Sequence, residues 1–148
     1  MKETFVASAK KLPDGMQVEV SSRSFTFLLD EPKELGGTDK AMNPVEAIMG
    51  ALGACQTICA MSFAKSQGIN LEGFHVELEG DLDPDGFKGK NPNVRNGFSE
   101  IRYTMHFKSD APKEKLEAFA DYIEKVCPVG DNLSRGVPLI RAGIVAER

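Results

Sequence analysis

From Ala47 to Ala64 the chain runs for eighteen residues without a charged side chain. Within this run, and from Val45 just before it, Val45, Ile48, Met49, Leu52, Cys55, Cys59 and Phe63 recur at helical spacing. The segment opens with Asn43-Pro44-Val45-Glu46. That is a side-chain cap, a proline at the first helical position and a glutamate placed to return the hydrogen bond. Gly50, Ala51, Gly53 and Ala54 fill the other faces, so the helix is apolar or small nearly all round and is expected to be enclosed. Its length reaches the lower limit for a membrane span. Gln56, Thr57 and Ser62 would go unsatisfied in lipid, and the rest of the chain is polar, so a central helix packed on several sides is the expected arrangement and no membrane partner is expected.

The remaining 130 or so residues, out of 148, must supply that enclosure. This length suits one domain spanning 1–148. The chain is 41% hydrophobic and 27% charged, the balance of an ordinary globular protein. Eighteen Lys and Arg stand against 22 Asp and Glu, for a net charge of -4. No electrostatic footprint for a phosphate backbone follows, and nucleic acid is not an expected partner. Three cysteines are too few, and odd in number, for a disulfide scaffold, and Met1-Lys2-Glu3-Thr4-Phe5 does not resemble a secretion signal. The expected location is the cytoplasm, where thiols stay free unless chemistry uses them.

Before the helix, short strands are expected around Phe5 to Ala9, Gln17 to Val20, and Phe25 to Leu29, with a Pro13-Asp14-Gly15 turn, giving a β-meander. Asp30 to Met42 reads as a polar loop. After Gly68 come two clean alternations, Phe74 to Glu79 and Ile101 to Lys108, expected to pair antiparallel. The intervening Gly80 to Gly97 is a long insertion of the kind that often serves as a lid. A second amphipathic helix carries Leu116, Phe119, Ala120, Ile123 and Val126 on one stripe and ends at Cys127-Pro128. A turn of helix at Asp131 to Arg135 and a last strand at Val137 to Val145 complete an α+β order.

Among residues able to carry chemistry, His75 and His106 both alternate onto the polar faces of their strands. That places neither as a base in a closed pocket and weakens a Cys-His hydrolase. Cys55 and Cys59 lie one helical turn apart and Cys127 is remote in sequence, which fits no common zinc pattern, so no metal is expected. Cys59 reads as a small buried hydrophobe. By periodicity alone Cys55 would be a core thiol too, and Cys127, at the break before a new helical turn, the better placed for activation by a helix terminus. Glu46 is explained by its cap. It stands nine residues from Cys55, about 13 Å along the helix axis, and cannot touch it within one helix.

The paired stretches Asn43-Pro44-Val45-Glu46-Ala47 through Leu52-Gly53-Ala54-Cys55 and Cys127-Pro128-Val129-Gly130-Asp131-Asn132-Leu133 resemble the OsmC/Ohr family of osmotically inducible and organic hydroperoxide-resistance proteins. Gly97-Phe98-Ser99-Glu100-Ile101-Arg102 resembles its OsmC-like branch. The resemblance implies an intertwined homodimer in which antiparallel sheets wrap long central helices and the sites form at the dimer interface. It also implies roles: Cys55 attacks an organic hydroperoxide and becomes a sulfenic acid, Cys127 resolves it as a disulfide, and a dithiol reductant, lipoyl-linked in well-known members, reopens the bond. No cofactor is implied.

A free cysteine, with a pKa near 8.5, is about 3% thiolate at pH 7. Bringing the pKa to about 6 takes roughly 3.4 kcal/mol of differential stabilisation, which calls for a cation. In Ohr-type members an arginine from the N-terminal strands, held by a glutamate of the Asn-Pro segment, plays that part. With the cysteines aligned without gaps that glutamate falls at Val45, and Glu46 stands one place later, as in many OsmC-like relatives. Arg23, the one arginine in the N-terminal half, and Arg95 in the long insertion are the candidate cations, with Lys10 and Lys11 nearer the first turn. Two functions follow: a thiol-dependent peroxidase with Cys55, Cys127 and Glu46 at its centre, or a non-enzymatic dimer holding a small apolar ligand at its interface.

Overall fold

A computed structural model describes residues 1–147, which form two compact units, 1–50 and 51–148 with the last residue aside. The first unit holds an antiparallel sheet of β1 (Ser8–Lys11), β2 (Val18–Ser22) and β3 (Phe25–Leu29) in the order β1-β2-β3. The meander is as expected, with β1 two to three residues later than its apolar start at Phe5 suggested. The Pro13-Asp14-Gly15 turn closes through Gln17 N–H to Asp14 O at 3.2 Å, and Gly15 takes φ +53°. Leu29 and Asp30 are buried, whereas Phe25 and Phe27 are exposed.

Asp30 organises the segment that follows. It is 1% exposed, and its carboxylate accepts from the backbone N–H of Glu31, Thr38 and Lys40 and from the Thr38 hydroxyl at 2.5 Å. The Thr38 hydroxyl bond, reinforced by those backbone donors and opposed by desolvation, lowers its pKa to about 2. Gly37 passes so close that an added Cβ would lie 1.9 Å from the Glu31 carbonyl oxygen. The loop, which includes a 3-10 turn at Lys33–Leu35, is thereby wound around one carboxylate, and Asp30 N–H bonds to Met42 O at 3.0 Å. The chain then enters α1 (Pro44–Phe63).

The first turn of α1 is closed reciprocally. Asn43 N–H donates to Glu46 Oε1 and Glu46 N–H donates to Asn43 Oδ1, each at 2.9 Å. Thr57, inside the helix, donates its hydroxyl to Gly53 O at 2.8 Å. Ala64 and Ile69 are buried just beyond its end, and Gly68 turns the chain at φ +72°.

The second unit contains the rest of α1 together with β4 (Gly73–Leu82), α2 (Pro84–Phe87), β5 (Phe98–Lys108), α3 (Lys113–Val126) and α4 (Pro128–Arg135). Strands β4 and β5 pair antiparallel in the register Phe74 with Phe107, His75 with His106 and Leu78 with Tyr103. They extend to Leu82 and Phe98, so the long insertion shortens to 83–97 and carries the single turn α2 at its start. The inward residues Phe74, Leu78, Ile101, Tyr103, Met105 and Phe107 pack on a core of Leu52, Cys59, Ala60, Phe119, Ile123 and Cys127. Phe107 links the layers, 5.0 Å from Phe74 and 6.0 Å from Phe119 between ring centres. The α+β class expected from the sequence is the class adopted.

One expectation, the last strand, fails, and the enclosure of α1 is met in part. Within one chain α1 is enclosed on one side only: Leu52, Gly53, Gln56, Cys59 and Ala60 are buried, whereas Ala51, Ala54, Ile58 and Met61 form an exposed stripe at three- and four-residue spacing. Residues 136–147 contain no strand. Val137, Leu139, Ile140, Ile144 and Val145 are exposed there, and none of the described strands pairs with the segment.

Candidate active site

Three cysteines converge on one point of the second unit. Cys55 projects from the middle of α1 and is half-buried. Cys59 is one turn further along the same face and buried. Cys127, seventy-two positions after Cys55, sits 1% exposed at the break between α3 and α4. Proline at 128 forbids helical angles at the preceding residue, and Cys127 is extended at φ -70°, ψ 111°. It closes both helices: its N–H bonds to Ile123 O at 3.0 Å, and its Sγ accepts from Gly130 N–H at 3.4 Å. The three sulfur atoms lie within 4.8 Å of one another. Spacing alone gave no hint that Cys127 joins the pair on α1; the family resemblance implied its meeting with Cys55.

Burial sets the ionisation of two of these thiols. Desolvation pushes Cys59 up to about 11, and the neighbouring Cys55 and Cys127 thiols add to it. Cys127 is also raised by burial, against the opposing pull of the Gly130 N–H. Helix-terminus activation of Cys127 is therefore outweighed. Cys55 is the one member of the trio that solvent can reach.

Beside the thiols lies a polar group that periodicity missed. Tyr103, on the inward face of β5, donates its hydroxyl to Glu124 Oε2 at 2.6 Å, and burial followed by that carboxylate raises its pKa well above the ordinary phenol value. Gln56, next to Cys55 in the chain, is 2% exposed, and its Oε1 has no hydrogen-bond partner. A glutamine at a core position of the charge-free run from Ala47 to Ala64 was the available signal.

Other candidates lie elsewhere. Glu46 is exposed and occupied by its cap. Arg23 stands in the turn between β2 and β3 at φ +55°, with its guanidinium 4.9 Å from the centre of the Phe25 ring. Arg95 is exposed in the 83–97 segment. His75 and His106 stack 4.3 Å apart on the outer face of β4 and β5, and His106 Nε2 lies 2.8 Å from Glu77 Oε1. On that same face Arg102 holds Glu79, Asp81 and Glu100, which lowers the Asp81 pKa. A groove of about 580 Å³ runs between β5 and α3, lined by Met105, Phe107, Leu116 and Ala120 among others, and none of the cysteines lines it.

Comparison with known proteins places this geometry in a family. Over 126 residues, 82% of each chain, the sequence is 27% identical to a hydroperoxide reductase of Mycoplasma genitalium. The fold matches the crystal structure of an OsmC-like protein from Mycoplasma pneumoniae with a TM-score of 0.79 at 24% identity, covering 93% of this chain and 91% of that one. It also matches an organic hydroperoxide resistance protein OsmC from Legionella pneumophila with a TM-score of 0.64 at 23% identity, covering 90% and 91%. The family model for OsmC-like protein matches residues 37–140, which include the capped start of α1 and all three cysteines. The chain belongs to the OsmC-like family.

Proposed function

We propose that this protein is a thiol-dependent peroxidase that reduces organic hydroperoxides. The observation that carries the reading is the meeting of Cys55 and Cys127, sulfurs within 4.8 Å, with Cys55 open to solvent and Cys127 sheltered. The Cys55 thiolate attacks the outer peroxide oxygen, the O–O bond breaks, and the alkoxide leaves as the alcohol on taking up a proton. Cys55 is then a sulfenic acid. The Cys127 sulfur displaces its oxygen as water and a Cys55–Cys127 disulfide forms. A dithiol reductant restores both thiols by exchange and is itself oxidised to a disulfide. The names of the Mycoplasma genitalium and Legionella pneumophila relatives support this assignment.

The working form in this proposal is a cytoplasmic homodimer. The exposed Ala51, Ala54, Ile58 and Met61 stripe of α1 is an apolar face of the kind a second copy covers. Arg23 and Arg95 remain the candidate cations of the proposal, and Glu46 the residue that would position one of them. The test is direct: treat the reduced protein with cumene hydroperoxide, count free thiols and map any disulfide by mass spectrometry. Loss of two thiols with a Cys55–Cys127 link is expected. A protein that keeps all three thiols favours the alternative, a non-enzymatic dimer holding a small apolar ligand at its interface.

A further inference from the structure

The peroxidase reading uses two of the three sulfurs. Cys59 is left over, yet its sulfur is within 4.8 Å of both others, and the trio is drawn from two turns of one helix and the break between two more. Three sulfurs bound to a single ion at about 2.3 Å stand roughly 4 Å apart or less. The three sulfurs, within 4.8 Å of one another, are thus within about 1 Å of the separations that three-coordinate binding asks for. Thiolates are soft donors, which restricts the ion to thiophilic ones.

Charge narrows the choice further. Cys59 is 6% and Cys127 1% exposed; Leu52, Ala60, Phe119 and Ile123 of the same core are apolar, and the polar groups beside the thiols, Gln56 and Tyr103, are uncharged. A net charge there carries a desolvation penalty. Three thiolates leave a net charge of minus one around a divalent ion and minus two around a monovalent one, but none around a trivalent one. We infer that Cys55, Cys59 and Cys127 together form a binding site for trivalent arsenic, taken up as arsenous acid. The reactant is uncharged at neutral pH and enters past the half-exposed Cys55.

The exchange balances without an oxidant or reductant. Three S–H and three As–O bonds break, three As–S and three O–H bonds form, and three waters leave. Arsenic stays trivalent and no net proton is released. The inference stands apart from the peroxidase proposal, since it requires three thiols in contact and no peroxide chemistry.

Sodium arsenite added anaerobically to the intact protein, kept reduced with a phosphine, tests it. One arsenic per chain is expected, with X-ray absorption at the arsenic edge showing three sulfur neighbours. Cys59→Ala, checked for folding by circular dichroism, is expected to weaken binding about tenfold or more. Two sulfurs with an oxygen in the third place would overturn the site, as would unchanged affinity in Cys59→Ala. Should that variant fail to fold, the sulfur count of the natural chain decides alone.

Discussion

The Cys127 sulfur lies within 4.8 Å of the Cys55 sulfur and accepts a hydrogen bond from Gly130 N–H at 3.4 Å. The two cysteines of the proposed cycle thus differ in setting: one is reachable, the other buried and protonated. Cys55→Ser is expected to abolish hydroperoxide turnover. Cys127→Ser is expected to react once and stop, leaving a Cys55 sulfenic acid that dimedone traps stoichiometrically. A Cys127→Ser protein that turns over at the natural rate with the same dithiol would show that Cys127 resolves nothing.

Asp30 makes the first unit pH-sensitive. Its carboxyl pKa falls from an ordinary 3.8 to about 2 on folding. The charged form is the one favoured by folding, so its contribution is complete above about pH 4 and is lost as pH falls toward 2. Asp30→Asn should lower the melting temperature at pH 7 and flatten its fall between pH 4 and pH 2. Thermal melts followed by circular dichroism across that range read both effects.

Gly37→Ala is expected to be severe for a different reason. Its Cβ would sit 1.9 Å from the Glu31 carbonyl oxygen and 2.7 Å from Asp30 Oδ1, and backbone cannot rotate out of the way. A cost of at least about 1–3 kcal/mol follows from overpacking. Gly50→Ala, with nothing within 4 Å of the added carbon, provides the contrasting control in urea unfolding.

Ile58 is 59% exposed and Met61 63% exposed on the open stripe of α1. Ile58→Glu combined with Met61→Glu should leave the helical content intact and halve the mass measured by light scattering. A natural chain that is already monomeric at micromolar concentration would remove the dimer from the proposal.

Local chemistry was the most legible part of the sequence. Asn43 and Glu46 announced a helix start that the structure closes with two 2.9 Å bonds, and Pro128 announced the break at Cys127. The alternations ending at Glu79 and beginning at Ile101 located the hairpin, but its ends were hidden. Pairing of Gly80 with Ile101 and of Leu82 with Phe98 depends on a partner strand rather than on composition. Asp30 looked like one more polar loop residue because its four donors are distributed from Glu31 to Lys40. The tail at 137–145 has the composition of a strand and joins no ladder among the described residues. The meeting of Cys127 with α1 was legible through the family resemblance and not through spacing, since contact between Cys127 and α1 is decided by how α3 lies against the core.

Cys127 sulfur also caps the first turn of α4 through Gly130. Any covalent bond that sulfur makes competes with this role, so a change of oxidation or ligand state is transmitted to the backbone as a loosened helix start. Amide hydrogen exchange at Gly130 would then report, from outside the thiol cluster, what its chemistry has done.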